Sequence, residues 1–345
     1  MRIAIIAPPW VAVPPQAYGG TETVIDTLAR GLQAAGHDVL LWATGDSTCP
    51  VPTRWALPRA AGTASTNPAT ELHHVVRAYD AVLEWGPDVV HDHTLVGPLH
   101  ASRLDVPVVT TNHGPFTGEL GDVYRAIAPT SPVIAISRHQ ASTADVPVAA
   151  VIHHGVDLAQ YPVGDGAGGY ALFLGRMSPD KGVHLAIRIA RAARVPLKIA
   201  AKMAEPDEHR YFREQVEPLL GDDVEYVGEV GLAEKVELLG GAICLLNPIA
   251  WAEPFGMVMI EALACGTPVL ATRCGSVPEI VDDGRTGYVR DLESDLANVL
   301  LRVGDLDRRA CREAVEARFS QRRMVEDHVA LYRRVLASRD LGRAA

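Results

Sequence analysis

Two short stretches of the chain place charged side chains where a bound anion or sugar could meet them. In residues 247–268, Glu253 lies just ahead of a helix predicted to start near Gly256, and Glu261 lies about one turn into it. The first amides of such a helix lack internal partners and carry the positive end of its dipole, so they favour a diphosphate or a polar sugar. Carboxylates beside them can accept short hydrogen bonds from sugar hydroxyls. Taken alone, each glutamate is better explained as a helix cap or a solvated residue, and only the whole string favours a ligand site.

The second stretch, residues 172–183, ends a predicted strand in Gly-Arg and brings a lysine to the start of the next helix. Arg176 offers a fork of donors and Lys181 a point charge, which together make a clamp for a diphosphate. Preorganised cations of this kind would stabilise the charge that builds up as a nucleotide leaves. Two solvated basic residues on the surface would have the same sequence, so this string alone is weak evidence for a diphosphate site.

The two strings, in this order and about 75 residues apart, resemble the second domain of retaining nucleotide-sugar glycosyltransferases of glycosyltransferase family four. The family signature is Gly-Arg and Lys-Gly, followed by two glutamates with seven residues between them, a spacing that Glu253 and Glu261 match. The resemblance implies that Arg176 and Lys181 bind the donor diphosphate and that Glu261 binds the ribose. It also implies that the base lies at Val230, and that the donor sugar is held by Glu253 and the amides of Phe255, Gly256, Met257 and Val258.

The N-terminal half carries looser signals. Gly20, in the string Tyr-Gly-Gly-Thr-Glu, opens the first long helix, where glycine lets a ligand phosphate approach the backbone. An ordinary flexible helix entry explains it equally well. His113 follows a buried strand, and the resemblance places a histidine there beside the reacting sugar, which makes it a catalytic candidate with Glu253, Arg176 and Lys181. A lone histidine is more often structural, and several others compete with it: His91, His93, His100, His153 and His154.

The elements that must position these residues alternate short apolar runs with amphipathic segments. Continuous apolar runs are typical of parallel strands covered by helices on both faces. The strands predicted in this way are Ile3–Ala7, Val39–Ala43, Val89–His91, Val106–Thr110, Val133–Ile136, Val148–Ile152, Ala171–Leu174, Leu197–Ala201, Val224–Val227, Ala242–Leu246 and Pro268–Ala271. Residues 44–70 are interpreted as a long surface loop.

The pattern predicts two successive doubly wound α/β domains, which the resemblance identifies as a GT-B fold with two Rossmann-like domains facing across a cleft. The glycine-rich segment 163–169 is interpreted as a linker or hinge. The predicted boundaries are 1–160 for an acceptor-binding domain and 161–320 for a donor-binding domain. A C-terminal helix, 321–345, is expected to return to the first domain.

Composition excludes several classes of protein. The 345 residues carry 32 basic and 42 acidic side chains, a net charge of −10, which disfavours sequence-blind binding to nucleic acid. The five scattered cysteines form no C-x-x-C pair, so we expect a reducing, cytoplasmic setting. No apolar stretch is long enough to span a membrane, and the arginine-rich C-terminal section is expected to pack on the protein instead of inserting stably into lipid.

Two patterns imitate metal sites. Asp305 and Asp307 resemble the Asp-x-Asp motif of another glycosyltransferase fold, but they lie far from the donor strings and are expected to open a helix. In the run from His91 to His93, successive strand residues point to opposite faces, so the three side chains cannot converge on one ion. The cationic clamp makes a metal unnecessary, and we expect no cofactor.

The hypothesis from these residues is a retaining hexosyl or deoxyhexosyl transfer from a nucleoside diphosphate sugar to an acceptor hydroxyl. Uridine and guanosine donors are favoured and thymidine stays open. The acceptor is expected to be a small molecule or natural product, with lipid-linked sugars also open. By the resemblance, attack on the same face that the leaving group departs from is favoured over double displacement. The alternatives are a sugar-nucleotide epimerase or hydrolase on the same fold, and a non-catalytic sugar-nucleotide-binding subunit.

Overall fold

The computed structural model describes residues 1–62 and 67–344, and the chain divides into two units. The first unit consists of residues 1–15, 19–62, 67–155 and 321–344. The second consists of residues 16–18 and 156–320. Each unit is built on its own parallel sheet.

The first sheet has seven parallel strands in the order β3-β2-β1-β4-β5-β6-β7. Its strands are β1 (Arg2–Ile6), β2 (Asp38–Trp42), β3 (Thr53–Arg54), β4 (Val89–Asp92), β5 (Val108–Thr111), β6 (Val133–Ala135) and β7 (Val148–Val151). Strands β1, β4, β5 and β6 are almost wholly buried, as their apolar runs predict. The prediction is wrong for β7, which alternates between half-buried and exposed residues because it lies at the edge of the sheet.

Among the described residues, five α-helices accompany this sheet: α1 (Gly20–Ala34), α2 (Pro68–Trp85), α3 (Gly118–Ile127), α4 (Arg138–Ser142) and α12 (Gln321–Ala344). The C-terminal helix α12 packs on α1 within the first unit. A side chain at Gly31 of α1 would place its Cβ only 2.6 Å from Cγ2 of Val325, so the two helices approach closely. The side chain of Gln321 donates a hydrogen bond to the Thr27 carbonyl, 2.7 Å away.

The second sheet has six parallel strands in the order β10-β9-β8-β11-β12-β13. They are β8 (Ala171–Arg176), β9 (Leu197–Lys202), β10 (Val224–Gly228), β11 (Cys244–Asn247), β12 (Val269–Thr272) and β13 (Gly287–Arg290). Seven helices follow them: α5 (Val183–Ala193), α6 (Pro206–Tyr211), α7 (Leu232–Gly241), α8 (Met257–Ala264), α9 (Val277–Ile280), α10 (Glu293–Leu300) and α11 (Arg308–Arg318). The strand order reverses between β8 and β11, and in such folds the carboxyl ends of the strands at this point form the usual ligand site.

Two other predictions from the sequence need correction. The glycine-rich segment 163–169 is not a free linker, because the amides of Gly164, Gly166 and Gly168 donate to carbonyls of the second unit. The stretch 44–70 is not all loop, since it contains β3 and the first residues of α2, while residues 63–66 lie outside the described residues.

Candidate functional site

The clamp residues of the second unit are positioned by two loops that touch each other. Strand β8 ends at Arg176, and a single helical turn, Pro179–Lys181, brings Lys181 to the start of α5. Gly182 has a φ of 76°, and a Cβ there would lie 2.2 Å from the carbonyl oxygen of Pro248 in the loop after β11. The amide of Ala250 in that loop donates to the Asp180 carbonyl, 2.9 Å away. The chain therefore needs glycine after Lys181 so that the two loops can meet.

Glu253 is held by a third loop, the one that follows β12. A Cβ on Gly275 would lie 2.5 Å from the carbonyl oxygen of Glu253, and the Ser276 amide donates to that same oxygen, 3.2 Å away. The Ser276 hydroxyl donates to the carbonyl of Phe255. Gly256, with a φ of 91°, then turns the chain into α8. The backbone from Phe255 to the first turn of α8 is thus fixed at the carboxyl edge of the sheet.

These three loops bring a cation and a carboxylate into contact. The ammonium of Lys181 pairs with Oε1 of Glu253, with 9% and 16% of the two side chains exposed. The second carboxylate oxygen, Oε2 of Glu253, is buried and lacks a hydrogen-bond partner in the described chain. Arg176 pairs with Asp180 at 3.2 Å and stays about one-third exposed. Such a site offers cationic donors to a phosphate and a free acceptor to a hydroxyl.

The second glutamate forms a separate buried group. Oε1 of Glu261, on α8, lies 2.5 Å from the ammonium of Lys235 and 3.0 Å from the hydroxyl of Tyr161. Burial and the neighbouring Glu261 raise the pKa of Tyr161 above its ordinary range, so this phenol stays a hydrogen-bond donor. The sequence analysis missed Lys235, because a single lysine on a helix carries no motif. It lies on α7, just after the loop that contains the buried Val230.

In the first unit, Gly20 opens α1 after the loop that follows β1, as predicted. Glu22, in the first turn of α1, is 7% exposed, and its burial raises the pKa of the carboxyl to about 7. A Cβ on Gly19 would lie 2.7 Å from Cβ of Pro15 and 3.0 Å from Oε2 of Glu22, so the entry to the helix requires glycine at that position.

His113 lies two residues beyond β5 and belongs to a cluster of histidine imidazole rings. Its Nε2 lies 2.9 Å from Nδ1 of His93, and its ring stacks on His154 with the centroids 5.3 Å apart. The ring of His91 lies 4.1 Å from that of His93 and 5.3 Å from that of His328 on α12. Three of the competing histidines, His91, His93 and His154, thus belong to the same cluster as His113. The sequence did not reveal this cluster, because the parallel pairing of β4 and β5 and the return of α12 bring its members together.

The cluster is uncharged at neutral pH. Burial lowers the pKa of His113 and of His328 to about 4, and it lowers those of His91, His93 and His154 well below their ordinary values. Hydrogen bonds satisfy both nitrogens of His91: Nδ1 lies 2.7 Å from the Tyr332 hydroxyl and Nε2 lies 2.8 Å from Oγ1 of Thr111. Neutral imidazoles can donate or accept hydrogen bonds without the free-energy penalty of a buried charge.

The aspartates Asp307 and Asp92 of the two metal-like patterns are engaged by other groups of the protein. Asp307 caps α11 by accepting from the amide of Arg309, 2.8 Å away. Asp92 turns away from His91 and His93 and accepts hydrogen bonds from the Tyr79 and Thr94 side chains, each at 2.7 Å. Within residues 1–62 and 67–344, no three His, Cys, Asp or Glu side chains are grouped as a metal site would require.

Most of the predicted residues therefore lie at two sheet edges, one in each unit. Gly20 and His113 lie at the carboxyl edge of the first sheet. The carboxyl edge of the second sheet and the helices that follow it carry Arg176, Lys181, Val230, Glu253, Phe255, Gly256, Met257, Val258 and Glu261. Their individual roles stay predictions.

Comparison with known proteins assigns the family. The profile of the family described as Glycosyltransferase Family 4 matches residues 18–160, and that of Glycosyl transferases group 1 matches residues 165–312. This chain belongs to glycosyltransferase family four. It has the GT-B fold and is a glycosyltransferase.

Several glycosyltransferases are similar to this family-four chain along almost its whole length. Phosphatidyl-myo-inositol mannosyltransferase of Mycolicibacterium smegmatis is 28% identical, over 93% of this chain and 89% of the relative. Among solved structures, AviGT4, a glycosyltransferase involved in avilamycin A biosynthesis, is 27% identical with a TM-score of 0.72, covering 97% of this chain and 98% of that one. HepE from Anabaena, in complex with UDP and glucose, shares the fold at 19% identity and a TM-score of 0.76, over 96% and 98% of the two chains.

In the described part of this family-four protein, no helix is both long and apolar enough to cross a membrane.

Proposed function

We propose that this glycosyltransferase moves a hexosyl or deoxyhexosyl group from a nucleoside diphosphate sugar to an acceptor hydroxyl, with retention of the anomeric configuration. The observation that carries the proposal is the buried pair of Lys181 and Glu253 at the opening of α8, with Arg176 beside it. A sugar diphosphate has phosphate oxygens that need cationic donors and sugar hydroxyls that can donate to a carboxylate. A site in which cations and a carboxylate lie together suits both parts of this ligand.

In the proposed complex, Lys181 exchanges its carboxylate partner for a phosphate oxygen. Glu253 is then released to accept a hydrogen bond from a hydroxyl of the donor sugar, and its second oxygen, now buried without a partner, can accept another. Arg176 supplies two parallel donors to the same diphosphate. Glu261, which Lys235 and Tyr161 orient, accepts from the ribose hydroxyls.

The proposed reaction follows the front-face course. The acceptor oxygen forms a bond to the anomeric carbon on the face from which the diphosphate departs, while the bond from that carbon to the phosphate oxygen breaks. The acceptor proton passes to the leaving phosphate oxygen, so atoms and charge balance. Arg176, Lys181 and the first amides of α8 stabilise the negative charge on the departing diphosphate. No metal takes part in this proposal, since side-chain cations supply the counter-charge.

The similar proteins guide which substrates to test first. HepE binds UDP, so a uridine donor heads the list and a guanosine donor follows. AviGT4 is involved in avilamycin A biosynthesis, which supports a small-molecule or natural-product acceptor. The relative named for phosphatidyl-myo-inositol is the reason to include lipid acceptors in the test as well. All five cysteines are free thiols, which supports the cytoplasmic location that we propose.

Two experiments test the proposal. A thermal-shift panel of UDP, GDP, TDP and ADP should single out one nucleotide, since a ligand at 100 times its dissociation constant stabilises by about 2.7 kcal/mol. Incubation with the matching α-configured donor and an acceptor panel should give an α-linked product by NMR, at a rate that EDTA leaves unchanged. A β-linked product, loss of activity with EDTA, or free or isomerised sugar as the sole product would each contradict part of the proposal.

A further inference from the structure

His93 has no role in the site as described so far, yet it touches the candidate catalytic histidine. It directly follows β4, it is 6% exposed, and its Nδ1 lies 2.9 Å from Nε2 of His113. One of these two nitrogens must carry the proton of the hydrogen bond and the other must be bare. Which of them carries it decides the tautomer of His113, because a neutral imidazole holds a single ring proton.

Both rings are neutral near pH 7, since burial lowers the pKa of His93 well below its ordinary value and that of His113 to about 4. Two arrangements are therefore open. In the first, Nε2 of His113 donates to Nδ1 of His93, and His93 must then carry its own proton on Nε2. In the second, Nδ1 of His93 donates to Nε2 of His113, and Nε2 of His93 is bare.

The surroundings of His93 decide between them. Its Nε2 is buried and has no hydrogen-bond partner among the described residues. The nearest ring is that of His91, whose two nitrogens are already engaged by Tyr332 and Thr111. The first arrangement would leave a buried N–H without an acceptor, and such orphaned donors are the rarer kind of unsatisfied group in proteins. The second arrangement leaves only a bare lone pair at that atom.

We propose that His93 is a positioning residue that holds His113 in the tautomer with its proton on Nδ1. The nitrogen that then carries the proton, Nδ1 of His113, has no partner in the described part of the chain, and the His113 side chain is only half-buried. His113 consequently presents an N–H donor at the carboxyl edge of the first sheet, where a ligand can reach it. Tautomer locking of this kind is effective in other enzymes, where the wrong tautomer abolishes most of the rate.

The consequence for the reaction rests on the proposed function. A histidine in this tautomer donates a hydrogen bond from Nδ1 to a sugar hydroxyl or a phosphate oxygen. Its bare nitrogen, Nε2, already accepts from His93 and is therefore not available to take a proton from the acceptor. His113 thereby orients the donor, and the leaving phosphate is left as the proton acceptor. His93 contacts the Nε2 side of the His113 ring, and we expect it to affect the reaction through His113.

The lock is tested without substrate, by nitrogen NMR of the full-length protein labelled with 15N-histidine. The His113 signals are assigned by their loss in the His113→Gln variant. In the wild type, we expect a protonated Nδ1 and a bare Nε2 for His113 at pH 7. A protonated Nε2 with a bare Nδ1 would overturn the proposal directly, with no variant needed.

A matched pair of variants tests the cause. His93→Asp presents an acceptor to Nε2 of His113 and should move the His113 proton to that nitrogen. His93→Asn, of the same size, can still donate and should leave the wild-type tautomer in place. If His113 keeps a bare Nε2 in a folded His93→Asp protein, or if His93→Asn also moves the proton, then His93 does not set the tautomer.

Activity separates this proposal from the proposed function. We expect His93→Asp to lower kcat roughly 10- to 100-fold with a smaller change in the donor KM, because one well-placed hydrogen bond is lost. We expect His93→Asn to have most of the wild-type rate. If the tautomer changes as expected and the transfer rate does not, the lock is upheld and the proposed contact between His113 and the donor sugar is wrong.

Discussion

The two sheet edges solve the problem of burying polar side chains in opposite ways. At the edge of the second sheet, charges are buried in pairs, Lys181 with Glu253 and Lys235 with Glu261. At the edge of the first sheet, a cluster of uncharged histidines combines the buried His91, His93, His154 and His328 with the half-buried His113. Asp92, which lies between His91 and His93 in the chain, is engaged instead by the side chains of Tyr79 and Thr94.

The difference indicates what each edge is suited to do. A buried charge pair keeps full charges available, so that an incoming anion can take the place of one partner. Neutral rings cannot balance a diphosphate, but they can orient a hydroxyl with a fixed donor at little electrostatic expense. We infer that charge compensation belongs to the second unit and that orientation of the reacting sugar belongs to the first. The predictions below test this contrast.

The largest stability effect is expected where one partner of a buried pair is removed. Lys235→Met leaves Glu261, 5% exposed in its side chain, with an uncompensated charge. The free energy of unfolding should fall by about 3 kcal/mol, measured by urea denaturation at pH 7. The double variant Lys235→Met, Glu261→Gln should recover most of the loss.

The matched control for that experiment is Arg188→Met. Arg188 pairs with Glu293 on the surface, with 57% and 40% of the side chains exposed, and such pairs contribute about 1 kcal/mol or less. If Lys235→Met is no less stable than the control, the second sheet edge does not depend on paired charge.

The histidine edge should respond to acid. The pKa of His328 is about 4 in the folded protein because burial opposes its charge, with partial compensation from its hydrogen bond to the Met324 carbonyl. The ordinary value is 6.5, so below pH 6.5 the unfolded chain binds a proton that the folded chain does not. This group's share of the stability is present above pH 6.5 and is lost as the pH falls towards 4, a loss of about 3 kcal/mol.

Replacement of this ring should reduce the acid sensitivity. In His328→Leu, the decrease in unfolding free energy between pH 7 and pH 4 should be smaller than in the wild type by about that amount. Equal pH dependence in the wild type and His328→Leu would refute the description of the cluster as buried and neutral.

The smallest expected effect on stability is at Asp307, in the string that resembles an Asp-x-Asp motif. Asp307→Ala removes the side chain that caps α11 and should lower the free energy of unfolding by about 1 kcal/mol, while Asp307→Asn keeps the cap. Neither variant should alter the transfer rate or its response to manganese. A loss of transfer activity in Asp307→Asn would mean that this aspartate belongs to the functional site after all.

The sequence predicted those parts of the molecule whose physical cause is local. Apolar runs identified the buried strands, because a strand covered on both faces has no polar side. The string that contains Glu253 predicted the entry to α8, where Gly256 indeed takes a positive φ.

What the sequence could not predict depends on residues that are distant in the chain. His91 and His328 are 237 positions apart and meet only because α12 returns to the first unit. Lys235 looks like any solvated lysine until α7 and α8 pack together. The glycine content of segment 163–169 indicates backbone freedom, but it does not reveal the hydrogen-bond partners that hold the segment in place. Arg308 donates to the carbonyls of Gly164 and Ala242 and fastens that segment to the second unit.

The central claim is that Arg176 and Lys181 bind the donor diphosphate and stabilise its departure. The most direct measurement is kcat/KM for glycosyl transfer in the Arg176→Ala, Lys181→Ala double variant. The control is Arg188→Ala, Lys198→Ala, which removes two other cations of the second unit from their ion pairs. We predict a loss of about 2–4 kcal/mol in transition-state stabilisation, roughly 30- to 1000-fold in rate, and none in the control. Full activity of the folded double variant would contradict the claim.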